Sequence, residues 1–113
     1  MSTSNAPETN VELAAQTDGL AVTGGNVADL WRGWVVWGAY NGWVNFPVTW
    51  NVINPNSTVV ITASEVDANG VRFIGAAPIT VTGIAPGSGI VTVKINIAWN
   101  SPLRIRTDVV VLN

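Results

Sequence analysis

From residue 58 onward the chain is a succession of β-branched runs, each closed by a turn cluster. STVVITASEVD precedes the turn DANG, VRFIGAAPITVTG precedes APGSG, IVTVKINIAW precedes NSP, and LRIRTDVVVL closes the series. Valine, isoleucine and threonine lose rotamer freedom in a helix and pack well on a pleated surface, so runs of this kind specify strands. Strands recurring every eight to twelve residues with tight turns between them are the pattern of a sandwich or barrel. Alternation gives each strand two faces. In GIVTVKINIAW, Val91, Val93, Ile95 and Ile97 lie on one side and Thr92, Lys94 and Asn96 on the other. In the last run, Leu103, Ile105, Thr107, Val109 and Val111 share a face. Arg104, Arg106 and Asp108 form a polar ladder on the opposite one, which ends in Val110 and Leu112.

The stretch LWRGWVVWGAYNGWVNFPVTW, residues 30–50, holds five of the six tryptophans. The spacing of Trp31, Trp34 and Trp37 imitates a helical stripe, but Gly33, Val35, Val36 and Gly38 oppose a helix, glycine alone costing about 1 kcal/mol relative to alanine. On a strand, Trp31 and Trp37 share a face with Gly33 and Val35, and Trp34 lies on the other with Arg32 and Val36. Indole on both sides of one sheet is hard to bury within a single sandwich, which points to a subunit contact. Asn41-Gly42 predicts a hairpin between the two aromatic runs, and Trp43 or Trp37 is a candidate to line an exposed cleft.

Charge limits the partners. Of 113 residues 48% are hydrophobic and only 11% charged, against a usual charged share of about 25%, so a homo-oligomer that hides part of its surface is expected. The net charge is −2, and Arg32, Arg72, Lys94, Arg104 and Arg106 form no run along the sequence, which argues against nucleic acid. Cysteine and histidine are absent, which removes thiolate metal sites and the usual general base. Glu65 and Asp67, two apart, are a weak glycosidase pair. DANG lacks the further ligands of a calcium loop. No catalytic residue, metal or cofactor is therefore expected. The N-terminus has no basic and apolar leader pattern, and no apolar run reaches the length of a membrane-spanning helix. Residues 1–28 read as an N-terminal arm, a docking segment, and 29–113 as the binding domain.

What remains is recognition. Indole offers a flat apolar face suited to a sugar ring. AWNSP sets Trp99 and Asn100 on a turn, and VDANGVRF sets Asp67 and Arg72 around another; these four are the candidate ligand-binding residues.

From Gly42 to the end, NFPVTW, STVVITASEVD, GVRF, AWNSP and LRIRTDVVVLN follow one another in an order that resembles the tip domains of phage tail fibres, which are similar in turn to H-type lectin domains. The resemblance implies an all-β, antiparallel β-sandwich of about six strands, assembled as a homotrimer with ligand sites between protomers. It also implies attachment to other virion proteins through residues 1–28, a place in the tail or baseplate, and a bacterial cell-surface glycan as ligand. Where H-type lectins carry a Trp-His pair this chain has Trp99-Asn100, a departure that bears on sugar specificity. The segment ITVTGIAPGSGIVTVKI also resembles part of bacterial Ig-like domains, again a β-sandwich. Two alternatives stay open: a structural virion component without sugar binding, and a free bacterial lectin.

Overall fold

The computed structural model describes residues 11–12, 20–21 and 25–113, and these form nine strands and no helix. Three are two-residue pieces: β1 (Val11–Glu12), β2 (Leu20–Ala21) and β6 (Arg72–Phe73). The others are β3 (Asp29–Tyr40), β4 (Gly42–Thr49), β5 (Thr58–Val66), β7 (Ile79–Gly87), β8 (Ile90–Ile97) and β9 (Leu103–Leu112). They assemble into two sheets, ordered β1-β4-β8-β7 and β2-β3-β9-β5-β6. All pairings are antiparallel except β1 with β4. Of the arm expected over residues 1–28, Val11–Glu12 adds to β4 and Leu20–Ala21 to β3, each at a sheet margin. The arm's other residues up to Gly24 lie outside the described residues.

One core fills the space between the sheets, which gives the molecule its sandwich-like, all-β character. The first sheet supplies Val44, Phe46 and Val48 from β4 and the alternating series Val91, Val93, Ile95 and Ile97 from β8. The second supplies Val35 and Trp37 from β3, Val59 and Ile61 from β5, and Ile105, Val109 and Val111 from β9. An aromatic contact joins the layers: Trp37 stacks on Phe46 at 4.3 Å between ring centroids, and Tyr40 meets Phe46 edge-on at 5.2 Å. Trp50 and Ile53, on the connection from β4 to β5, close the core at one side.

Asn41-Gly42 does not form the expected hairpin. β3 pairs with β9 and β4 with β8, so the dipeptide is a corner at which the chain leaves one sheet for the other. The sharp turn needs the positive φ of 75° at Gly42, which an L-residue adopts only under strain. The same residue chemistry serves a corner and a hairpin alike. What decides between them is the partner that each flanking strand finds, here β9 and β8. The connections β4–β5, β6–β7 and β8–β9 also cross between sheets, whereas β5–β6 and β7–β8 are true hairpins. Trp37 is likewise no cleft residue. It is 5% exposed, and its indole N–H donates to the buried Thr107 hydroxyl at 3.0 Å.

The two strand prolines fall where a missing N–H does least harm. Pro86 lies in β7, an edge strand, and Pro47 lies in β4 beside the point where the two-residue β1 begins. Asn113 is tied down through its side chain. It accepts from Ser57 Oγ through Oδ1 at 2.6 Å and donates to the Val52 carbonyl at 2.9 Å. Ser57 in turn accepts from the Asn54 amide at 2.9 Å, so the β4–β5 crossover and the end of β9 are knotted together.

Candidate functional site

With Trp37 and Trp50 buried and Trp31 partly buried, three indoles reach outward, on three separate parts of the surface. Trp43 lies half-buried on the outer face of the first sheet, beneath the Lys94 ammonium at 5.0 Å from the ring centroid. Trp99, 42% exposed, stands on the β8–β9 crossover. Trp34, 40% exposed, stands on the outer face of the second sheet.

The Trp99 turn is pinned through its backbone. Ala98 N–H donates to the Pro78 carbonyl at 2.9 Å, Trp99 N–H to the Ile97 carbonyl at 2.8 Å, and the Asn41 side-chain amide to the Trp99 carbonyl at 3.3 Å. Asn100 is exposed on the same turn. Thus a pinned backbone presents an accessible indole with the Asn100 carboxamide next to it in the chain and that of Asn41, from the β3–β4 corner, bonded to its carbonyl.

The outer face of the second sheet is richer. Strand register sets Arg32, Trp34 and Val36 of β3 beside Val110, Asp108 and Arg106 of β9, and these beside Val60, Thr62 and Ser64 of β5. Arg106 grips Asp108 in a bidentate pair, Nε to Oδ1 and Nη2 to Oδ2, both at 2.9 Å. The Arg106 guanidinium also lies 4.9 Å from the centroid of the Trp34 ring. Arg72 reaches the same carboxylate from β6, with 3.6 Å between Nη1 and Oδ2. The hydrogen bond to Asp108, and the attraction of its charge, push the Arg106 pKa above an already high value against the opposing effect of burial, so this guanidinium is a permanent cation. A planar bidentate pair holds a direction as well as a charge, and here it fixes the cation that packs on Trp34.

The four residues that sequence singles out are therefore split. Trp99 and Asn100 share the β8–β9 turn, and Arg72 belongs to the sheet face. Asp67 caps its own turn, Oδ1 accepting from the amides of Asn69 at 2.8 Å and Val71 at 3.0 Å. That is a structural use of its carboxylate, and it explains the DANG sequence without a metal. Arg104 bonds the Ala68 carbonyl at 3.3 Å, which brings the DANG turn against the start of β9. Among the described residues no hydrogen bond, ion pair or ring contact joins Trp99 or Asn100 to Arg72 or Asp67. Trp34, Arg106 and Asp108 complete the face that Arg72 enters. Their alternation is visible in the sequence, but their convergence depends on β3 pairing with β9, which the sequence does not specify.

A cleft of about 210 Å³ between β5 and the 73–79 crossover is lined by Ser64, Glu65, Phe73 and Gly75, among others. That is below the roughly 300 Å³ at which small-molecule pockets begin. Comparison with known protein families, curated proteins and solved structures finds no match.

Proposed function

We propose that the chain is a non-enzymatic recognition module that binds a bacterial surface glycan, in the manner of a phage tail-fibre tip, with residues 1–28 attaching it to other virion proteins. The observation that carries this reading is the presentation of Trp99 and Trp34 outside a core that is complete without them. An indole left about two-fifths exposed returns less to folding than a buried one and costs solubility. Beside hydrogen-bonding side chains it forms a platform for the apolar face of a sugar whose hydroxyls those side chains bind. Shallow surface sites of this kind are individually weak, and a homotrimer would multiply them when three copies engage one cell surface. Cell adsorption tests the reading. Trp99→Ala and Asn100→Ala should each abolish binding to susceptible cells while circular dichroism and solution mass stay unchanged. Unchanged adsorption by both variants would refute it.

A purely structural oligomer is the second reading, favoured by one feature. Val71, Phe73 and Ile74 are exposed around β6, a sheet edge, and Ile74 is 102% exposed. Apolar side chains along an unpaired edge invite another chain. Ile74→Asp should lower the solution mass measured by light scattering if copies meet there. A structural oligomer would depend on that contact and be indifferent to Trp99→Ala.

A further inference from the structure

Four of the five cations of this acidic chain lie on one face. Arg32 on β3, Arg104 and Arg106 on β9, and Arg72 on β6 all belong to the outer side of the second sheet, which among the described residues holds one carboxylate, Asp108. The described charges of this face sum to +3, in a chain whose net charge is −2. Folding has sorted cations that are scattered in sequence.

We propose that this face is a binding site for an acidic polysaccharide, a chain of carboxylate-bearing sugars laid along β9; the proposal rests on the glycan-binding reading above and names its ligand class. Asp108 occupies Arg106 and Arg72 at the centre. Among the described residues Arg32 and Arg104 have no salt bridge. Arg32 is paired in register with Val110, six residues along β9 from Arg104, so the two cations flank a track about 20 Å long at about 3.4 Å per residue. Guanidinium is the side chain best matched to a planar carboxylate. Between the two lie the exposed part of Trp34, on which a sugar ring can stack, and Asp108 with Thr62, which can accept hydrogen bonds from hydroxyls. A polymer of hydroxyl-rich rings that bear carboxylates fits this arrangement. A deoxyribose phosphodiester strand fits it poorly, because its backbone sugars have no free hydroxyl to donate to Asp108 and Thr62.

The test uses the full chain and three soluble probes of similar length: polygalacturonate, dextran and oligo(dT), with affinities measured at two salt concentrations. Polygalacturonate should bind most tightly, and more weakly in high salt. Arg32→Gln, Arg104→Gln and Trp34→Ala should each weaken it by about tenfold. Lys94→Gln, which removes the same charge from the opposite sheet, should leave it within about twofold. Tighter binding of oligo(dT) would replace the proposal with a nucleic-acid face. Polygalacturonate binding that ignores Arg32→Gln and Arg104→Gln, or falls equally with Lys94→Gln, would also overturn it. If polygalacturonate fails to bind while cell adsorption is intact and sensitive to Trp99→Ala, this inference falls and the glycan-binding reading survives. Loss of both would sink the two together.

Discussion

Thr107 is the one polar residue on the inward face of β9, between Ile105 and Val109 and with no exposure, and its hydroxyl accepts the indole N–H of Trp37 at 3.0 Å. Replacing it by valine keeps the shape and removes the acceptor. Two effects oppose each other. Stranding a buried N–H costs about 1–3 kcal/mol, while burying a methyl in place of a hydroxyl returns roughly 1 kcal/mol. The penalty wins, and Thr107→Val should destabilise the fold by about 1–2 kcal/mol. Trp37→Phe removes the donor but also leaves space beside Phe46, so it should cost about 2–4 kcal/mol. In the double variant neither polar group is stranded, and the loss should fall short of the sum of the single losses by about 1–2 kcal/mol. Urea denaturation followed by circular dichroism, at one fixed protein concentration, measures all three against the parent. A Thr107→Val variant as stable as the parent, or losses that simply add, would show that the indole does not depend on this hydroxyl and would remove the argument for a threonine at this position.

Trp50 provides the contrast, since its indole N–H is buried without an acceptor among the described residues. Trp50→Phe relieves that cost as it creates a void, so urea denaturation should show it at least about 1 kcal/mol milder than Trp37→Phe, the worth of one buried hydrogen-bonding group. Asn113→Ala breaks the ties to Ser57 and Val52 and should cost about 1–2 kcal/mol in the same assay, with hydrogen exchange rising first in the β4–β5 crossover. Gly42→Ala forces a side chain into positive φ at the corner between the sheets and should lower stability by roughly 1 kcal/mol or more without changing the oligomer mass.

Alternation made much of the core readable in advance. The inward sets of β8 and β9 fall on the residues that periodicity selects, and so does the division of β3 into Val35 and Trp37 inside with Arg32, Trp34 and Val36 outside. Period-two patterning is a local property, and burial on one face enforces it. Pairing is not local. Nothing in Asn41-Gly42 shows that β3 will lie beside β9, 70 residues later at the Trp37–Thr107 contact, rather than beside β4. The candidate site suffered from the same gap. Arg72 was visible as a turn-side cation, but its partner Asp108 lies 36 positions away on a different strand, and no spacing rule links them. The capping role of Asp67 is equally hidden in sequence, because its bonds to the amides of Asn69 and Val71 are made only once the turn is closed.

The crowding of indole into one fifth of the chain therefore has no single cause. Trp37 and Trp50 are core residues, one satisfied and one not, and Trp31 packs against that core. Trp34 and Trp43 lie on opposite outer faces, each covered by a cation from the neighbouring strand, Arg106 and Lys94. A cation over an indole stabilises an exposed site by about 0.5–1 kcal/mol, too little to account for placing so large an apolar side chain in water on both sheets. Among the described residues no hydrogen bond or salt bridge fixes the direction of the Lys94 ammonium. Arg106 is held by two hydrogen bonds to Asp108, so Trp34 sits beside a polar group whose direction is fixed before any ligand arrives. Fixed donors and acceptors cost a ligand less ordering on binding. On that difference the proposed recognition is assigned to the second sheet rather than the first.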